Sequence, residues 1–197
     1  LGPRGFTDPA LYPVLELCLE CKACKTECPT GVDMARVKSE FLYQYQQANG
    51  APNRSRIIAR TDSLSAWGSR LFPLSNTLAE NSAFRTLMEY AFGFDRRRIP
   101  PKFARQTFLH WWRSHGSKGK GTGNTGSTEK VALFADTFTN YHEPEHAIAA
   151  VKVARHLGAE VTVANRACCG RPAISKGMLK LAKLKAEETV RALFPFA

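Results

Sequence analysis

Cys18-Leu19-Glu20-Cys21-Lys22-Ala23-Cys24-Lys25-Thr26-Glu27-Cys28-Pro29 reads C-x2-C-x2-C-x3-C-P. This is the spacing with which thiolates hold a [4Fe–4S] cube. The reason is geometric. Three sulfurs must reach three corners of one small cube, so a ligand at every third residue lets the chain wrap it. The fourth cysteine lies one residue further on and leaves the wrap, and in two-cluster proteins it serves the other cluster. Pro29 fixes φ and removes an N–H where the chain turns away. Cys18, Cys21, Cys24 and Cys28 are therefore the expected metal ligands. A zinc site shows two C-x-x-C pairs a dozen or more residues apart, which these closely spaced thiols do not match. A disulfide framework does not suit a chain with no secretory segment.

Working outward, the 197 residues allow one large or two small domains with real cores. Hydrophobic content of 44% and charged content of 23% are ordinary for a globular protein. No apolar run approaches a membrane span and no signal segment opens the chain. The expected location is cytoplasmic, where thiols stay reduced, with a peripheral position at the membrane as the alternative. The net charge is +11, but the cations are dispersed apart from Arg96-Arg97-Arg98 and no nucleic-acid motif accompanies them. A solvated face or a dock for an acidic partner is expected, and nucleic acid is not. The chain opens at Leu1 without methionine and stops just after a helical pattern, which reads as a piece of a longer protein.

Before the cysteines, Asp8 and Pro9 offer a helix start, but Pro13 interrupts, so a helix is expected from about Pro13, bringing Leu15 and Leu17 to the cluster. After them, Thr30-Gly31-Val32-Asp33 matches a capping box with Asp as the acidic member. A helix then runs to about Gln47, with Met34, Val37, Phe41, Leu42 and Tyr45 inward. Helices on both sides indicate an α-helical ferredoxin-like segment over residues 1–60. Lys22 and Lys25 flank the cysteines, either offsetting an anionic cluster or simply solvated.

Residues 61–115 read as a helical connecting region. Ile57, Ile58, Leu64, Trp67 and Leu71 fit one helix; Leu78, Phe84, Leu87, Met88 and Ala91 fit another, closed by Gly93. Phe103, Phe108, Trp111 and Trp112 form an aromatic cluster with Lys102, Arg105 and Arg113 interleaved. Base stacking is one reading, and packing against a neighbouring domain is the better one. Residues 116–128 form a Gly-rich linker. Gly121-x-Gly123-x-x-Gly126 matches the dinucleotide fingerprint in letters only, since no strand precedes it and no helix follows.

Residues 129–197 read as an α/β domain. Val131–Ala135 and Glu160–Ala164 are expected strands, with a helix from Pro144 to His156 between them that carries Ala147, Ile148, Val151 and Ala154 inward. A last helix is expected from about Ser175 to Leu193 with Leu179, Ala182, Leu184 and Ala186 inward. Two strands alone do not cover a core, so further strands are expected beyond Ala197. His142-Glu143-Pro144-Glu145-His146 spells the zincin H-E-x-x-H, but Pro144 belongs in the first turn of a helix. That leaves His142 before the helix and His146 inside it. Cys168-Cys169-Gly170-Arg171-Pro172 is a possible second site: neighbouring cysteines point different ways and Gly170 permits close approach of a ligand. A buried, inert cysteine pair is the equally weighted alternative.

The cysteine run, with Pro29 to Leu42 after it, resembles the iron–sulfur segment of large FAD-linked oxidoreductases of the D-2-hydroxy-acid dehydrogenase type. Asp136 to Glu145 and Cys168 to Gly177 resemble their cysteine-rich CCG domain, shared with iron–sulfur subunits of glycolate oxidase, anaerobic glycerol-3-phosphate dehydrogenase and heterodisulfide reductase. The expected fold class is thus α + α/β: an α-helical ferredoxin-like domain followed by a truncated βαβ CCG domain. The family usually carries two cysteine runs, and one is present; the FAD domain and a later CCG cysteine are absent. The resemblance implies that Cys18, Cys21 and Cys24 hold one cube completed by an upstream cysteine, while Cys28 serves another. It implies FAD on a preceding portion or a flavoprotein partner, which takes hydride from a 2-hydroxy acid. This chain then relays single electrons to an acceptor and carries no catalytic residue. A separate electron-transfer subunit and a zinc-stabilised binding module are the alternatives.

Overall fold

The computed structural model describes residues 5–116, 129–164 and 168–196. The described residues are mostly helical, with a two-stranded parallel sheet. They fall into two units: residues up to Thr61 together with Gly170–Lys185, and Asp62–Cys169 together with the residues from Ala186 on. The expected linker, with its Gly121-to-Gly126 run, lies outside the described residues except for Gly116.

The first unit contains α1 (Leu11–Glu16), α2 (Ala23–Glu27), α3 (Met34–Asn49), α4 (Asn53–Ala59), α11 (Arg171–Ser175) and the start of α12 (Leu179–Leu193). Helix α1 begins two residues before Pro13, which is tolerated because first-turn N–H groups have no intrahelical partner. Asp8 does not cap it; its carboxylate accepts from the Ala10 N–H at 2.9 Å in a local turn. Asp33, not Thr30, caps α3, accepting from the Arg36 N–H at 3.1 Å. The capping box expected three residues earlier does not form, because Thr30 faces Cys28 instead.

The buried stripe of α3 is also rotated from the one the hydrophobic pattern indicates. Ala35, Lys38, Phe41 and Leu42 are buried, while Met34 and Val37 are exposed. Lys38 is drawn inward by polar partners, and the stripe turns with it. The expected last helix is α12, which starts four residues later than expected, at Leu179, after the short α11 and a turn at Gly177. Leu184 is exposed there, whereas Ala182 joins Ala59 and Ala173 in a small core with Met178 and Leu181. Gly177 has φ +68°, and a Cβ there would overlap Leu42 and the backbone of Tyr43.

The second unit contains α5 (Thr61–Arg70), α6 (Leu74–Glu80), α7 (Ser82–Phe92), α8 (Phe108–His115), β1 (Lys130–Leu133), α9 (Thr137–Tyr141), α10 (Pro144–His156) and β2 (Glu160–Val163). The single helix expected through Ile57 and Leu71 is broken between α4 and α5, where the Thr61 hydroxyl donates to the Ile58 carbonyl at 2.6 Å. The next pattern is broken at Asn81, whose side chain accepts from the Phe84 N–H and caps α7. Both breaks come from local polar capping, which hydrophobic spacing does not report.

Strands β1 and β2 pair in parallel, Lys130 opposite Glu160 and Leu133 opposite Val163, and α10 has the expected bounds. The strands are shorter than expected at their carboxyl ends. Ala147, Val151 and Val161 form a core with Phe108, which is 0% exposed, and Trp111, Trp112 and Ile148 pack against it. The aromatic cluster is thus interior packing. Phe108→Ala is expected to cost about 3–5 kcal/mol, and Gly177→Ala about 1–3 kcal/mol through overpacking. Urea unfolding of each variant, followed as a lower midpoint at unchanged slope, checks both.

Candidate metal centre

The cysteine run occupies the connection from α1 through α2 to α3. Cys18 closes α1, its N–H donating to the Leu15 carbonyl at 3.1 Å. Cys24 lies in α2, and Cys28 leaves it with its N–H on the Cys24 carbonyl at 3.0 Å. Between them, Glu20 and Lys22 adopt φ of +55° and +63°. Such left-handed conformations cost non-glycine residues of order 1–3 kcal/mol each and persist where the surroundings dictate them.

The surroundings here are charged groups. The Lys38 ammonium, 3% exposed, donates to the Cys18 carbonyl at 2.6 Å and stands 3.9 Å from the buried Glu20 carboxylate. The Arg171 guanidinium donates to the Glu20 carbonyl at 2.9 Å. Lys22 pairs with Asp33 at 3.1 Å, so it is tied to the cap of α3 and not merely solvated. Burial pushes the Glu20 carboxyl upward, and nearby Lys38, Arg171, Lys176 and Lys22 only partly offset that. Burial also acts to raise Asp33, but the Lys22 ammonium and the Arg36 N–H outweigh it and hold Asp33 below the usual carboxylate range.

Two sulfurs receive donors. The Met34 N–H donates to Cys24 Sγ at 3.3 Å. Cys28 Sγ lies 3.1 Å from the Thr30 hydroxyl. That hydroxyl, with the N–H groups of Val32, Thr30 and Gly31, lowers the Cys28 thiol to about 7 against a small opposing effect of burial. The loop therefore favours a thiolate at Cys28.

All six cysteines are free. Four soft thiol donors on one loop, with N–H groups directed at two of the sulfurs, suit an iron–sulfur cube in kind. The thiols have not converged: among the described residues, no group of three or more His, Cys, Asp or Glu side chains is placed to hold a metal ion.

The second unit holds the other candidates. Cys168 is buried and Cys169 exposed, so the neighbours do face differently. The Thr137 hydroxyl donates to Cys168 Sγ at 3.7 Å and the Thr189 hydroxyl to the Cys168 carbonyl at 2.9 Å. His142 Nε2 is 3.1 Å from Ser65 Oγ, and Nδ1 is 2.9 Å from the Lys102 carbonyl. Its ring lies against Phe103 and Phe138. His146 is exposed and pairs with Glu143 at 3.2 Å. Both ring nitrogens of His142 serve the fold, so the two histidines do not make a zincin pair.

Comparison with known proteins finds distant relatives among dehydrogenases. The chain is 28% identical to the subunit designated C of the anaerobic glycerol-3-phosphate dehydrogenase of Escherichia coli (strain K12) over 141 residues, 71% of this chain and 34% of that protein. It is 25% identical to D-2-hydroxyglutarate dehydrogenase of the same strain over 177 residues, 87% of this chain and 17% of that protein. The D-2-hydroxyglutarate dehydrogenase of Haemophilus influenzae is 21% identical over 169 residues, 84% of this chain and 16% of that protein.

The chain is a homologue of both kinds of dehydrogenase. It is an oxidoreductase-related protein that spans about a third of the length of the one homologue and about a sixth of the other. No family model matches it, and no solved structure does. No helix among the described residues is long and apolar enough to cross a membrane.

Lys38 and Arg171 were not singled out by sequence. Lys38 does sit three residues after Ala35 and four before Leu42, inside the buried stripe, and that register is a usable signal. Nothing local marks Arg171, whose partner is 151 positions away. Thr30→Val removes the first-named donor to Cys28 and is expected to return its thiol toward the ordinary range. Alkylation of Cys28 by iodoacetamide at pH 7, mapped by mass spectrometry, should slow a few-fold; an unchanged rate would show that the backbone N–H groups suffice.

Proposed function

We propose that this chain is the iron–sulfur electron-transfer portion of a flavin-dependent dehydrogenase. The observation that carries this reading is the C-x2-C-x2-C-x3-C-P run, built into a loop whose N–H and O–H groups address Cys24 and Cys28. Homology to a dehydrogenase subunit and to a dehydrogenase supports it. In this reading Cys18, Cys21 and Cys24 hold one cube with a further ligand from elsewhere in the protein, and Cys28 serves a second. When bound, a [4Fe–4S] cluster supplies one-electron transfer. The protein's own work is to position the thiolates, bias them toward deprotonation and set the charge around them.

The electron source is a flavoprotein domain or subunit carrying FAD, acting on a 2-hydroxy acid or a related alcohol. Homology to a protein named as a subunit favours a separate subunit as the second reading; it differs from the first only in whether the flavin domain is fused. The domain scheme follows: a ferredoxin-like segment at 1–60, a helical connection at 61–115, a linker at 116–128 and a CCG domain at 129–197. Cys168 and Cys169 are a second ligand site in that scheme, and the cytoplasm is the location that suits six free thiols.

Anaerobic reconstitution of the full-length protein with iron and sulfide tests the reading. Broad absorption near about 400 nm that bleaches on reduction is expected, as for thiolate-bound clusters. Cys21→Ser should lose most of the iron while His146→Ala keeps it. Equal losses in the two variants, or a colourless protein loaded with zinc, would overturn the assignment.

A further inference from the structure

The Cys18–Cys21 segment is surrounded by an excess of positive charge that its own sequence does not supply. Glu20, 5% exposed, is the carboxylate at its centre. Lys38, Arg171, Lys176 and Lys22 all act on it. Lys38 and Arg171 do more than sit nearby: they bond the loop at two carbonyls, those of Cys18 and Glu20. Glu20 Oε1 is buried, has no hydrogen-bond partner among the described residues and lies 3.9 Å from the Lys38 ammonium. Lys22 is already paired with Asp33 and Lys176 also feels Glu16, so the excess positive charge at the loop rests on Lys38 and Arg171, which face the single Glu20 carboxylate in a region partly screened from water.

A trans peptide points its N–H opposite its C=O. Holding the carbonyls of Cys18 and Glu20 against Lys38 and Arg171 therefore turns the N–H groups of Leu19 and Cys21 away from those cations and toward the opposite side of the loop. Amide donors on sulfur and positive charge nearby both favour the more negative, reduced form of an iron–sulfur cluster.

We propose that Lys38 and Arg171 are positioning residues of the cluster loop, clamping its two carbonyls and raising the reduction potential of the cluster that Cys18, Cys21 and Cys24 hold. The inference rests on the functional reading above and adds the residues that tune it. Arg171 lies in the part of the CCGRP segment, from Gly170 on, that belongs to the first unit, so this assigns that part a task towards the cysteine run of the same unit.

The test is a redox titration of the full-length holoprotein followed by electron paramagnetic resonance, with iron and sulfide counted in every sample. Arg171→Met should keep its cluster yet shift the oxidised-to-reduced ratio at the wild-type midpoint about tenfold toward oxidised, equivalent to about 59 mV for one electron. Arg171→Lys should recover most of that shift. Glu20→Gln, which removes the anion, should move the potential the opposite way, a sign that general loosening of the loop would not give. Should Arg171→Met lose iron while Arg171→Lys retains it, the clamp is supported as a holder of the loop. An intact cluster at unaltered potential in Arg171→Met and Lys38→Met overturns the inference alone. A wild-type protein without cluster overturns it together with the functional reading.

Discussion

A buried ammonium on a backbone carbonyl organises the loop that carries Cys18 and Cys21. Lys38 lies in the middle of α3, on the face that packs inward, and its Nζ reaches the carbonyl of Cys18 at 2.6 Å. Taking an ammonium out of water is costly unless it is paired and hydrogen-bonded. Here the cost is offset by the carbonyl and by Glu20, and the consequence is conformational. The chain between Cys18 and Lys22 is held in a shape with two left-handed non-glycine residues that it would not adopt alone. The rotated burial of α3, with Val37 outside and Lys38 inside, follows from the same contact.

The loop is polarised by the groups that hold it. Carbonyl oxygens at Cys18 and Glu20 face cations, while donors at Met34 and Thr30 face the sulfurs of Cys24 and Cys28. That arrangement suits ligands that must be anionic to bind metal. Homology to dehydrogenases of two kinds gives the chain an oxidoreductase context. The features that suggested other chemistries have structural roles instead. His142 is fastened at both ring nitrogens, and Phe108, Trp111 and Trp112 build the core over which α10 and the two strands pack.

Much of the fold was legible because it depends on local rules. The periodicity of Ala147, Ile148, Val151 and Ala154 places α10 correctly, and its Pro144 start is a first-turn proline. The two strands and their parallel pairing follow from short, largely apolar runs on either side of that helix. Where sequence reading fails, a polar side chain has intervened: Asn81 splits one expected helix, Thr61 marks the break in another, and Asp33 takes the cap assigned to Thr30. Apolar spacing cannot register such contacts, because each is a single hydrogen bond that competes with helix continuation.

By itself the sequence determined the candidate ligands: thiol spacing is a property of a short contiguous segment, and four cysteines ending in Cys28-Pro29 carry that information without help from the rest of the chain. Adjacency makes Cys168 and Cys169 point different ways, but the packing around them decides that Cys168 is the buried one. Only the tertiary structure decided what holds the ligand loop. Glu20 meets Lys38 across 18 positions and Arg171 across 151, and those meetings exist because α3 and the segment after Gly170 belong to the same packed unit. Electrostatic contacts depend on distance in space, which residue spacing does not encode once the chain has folded back on itself.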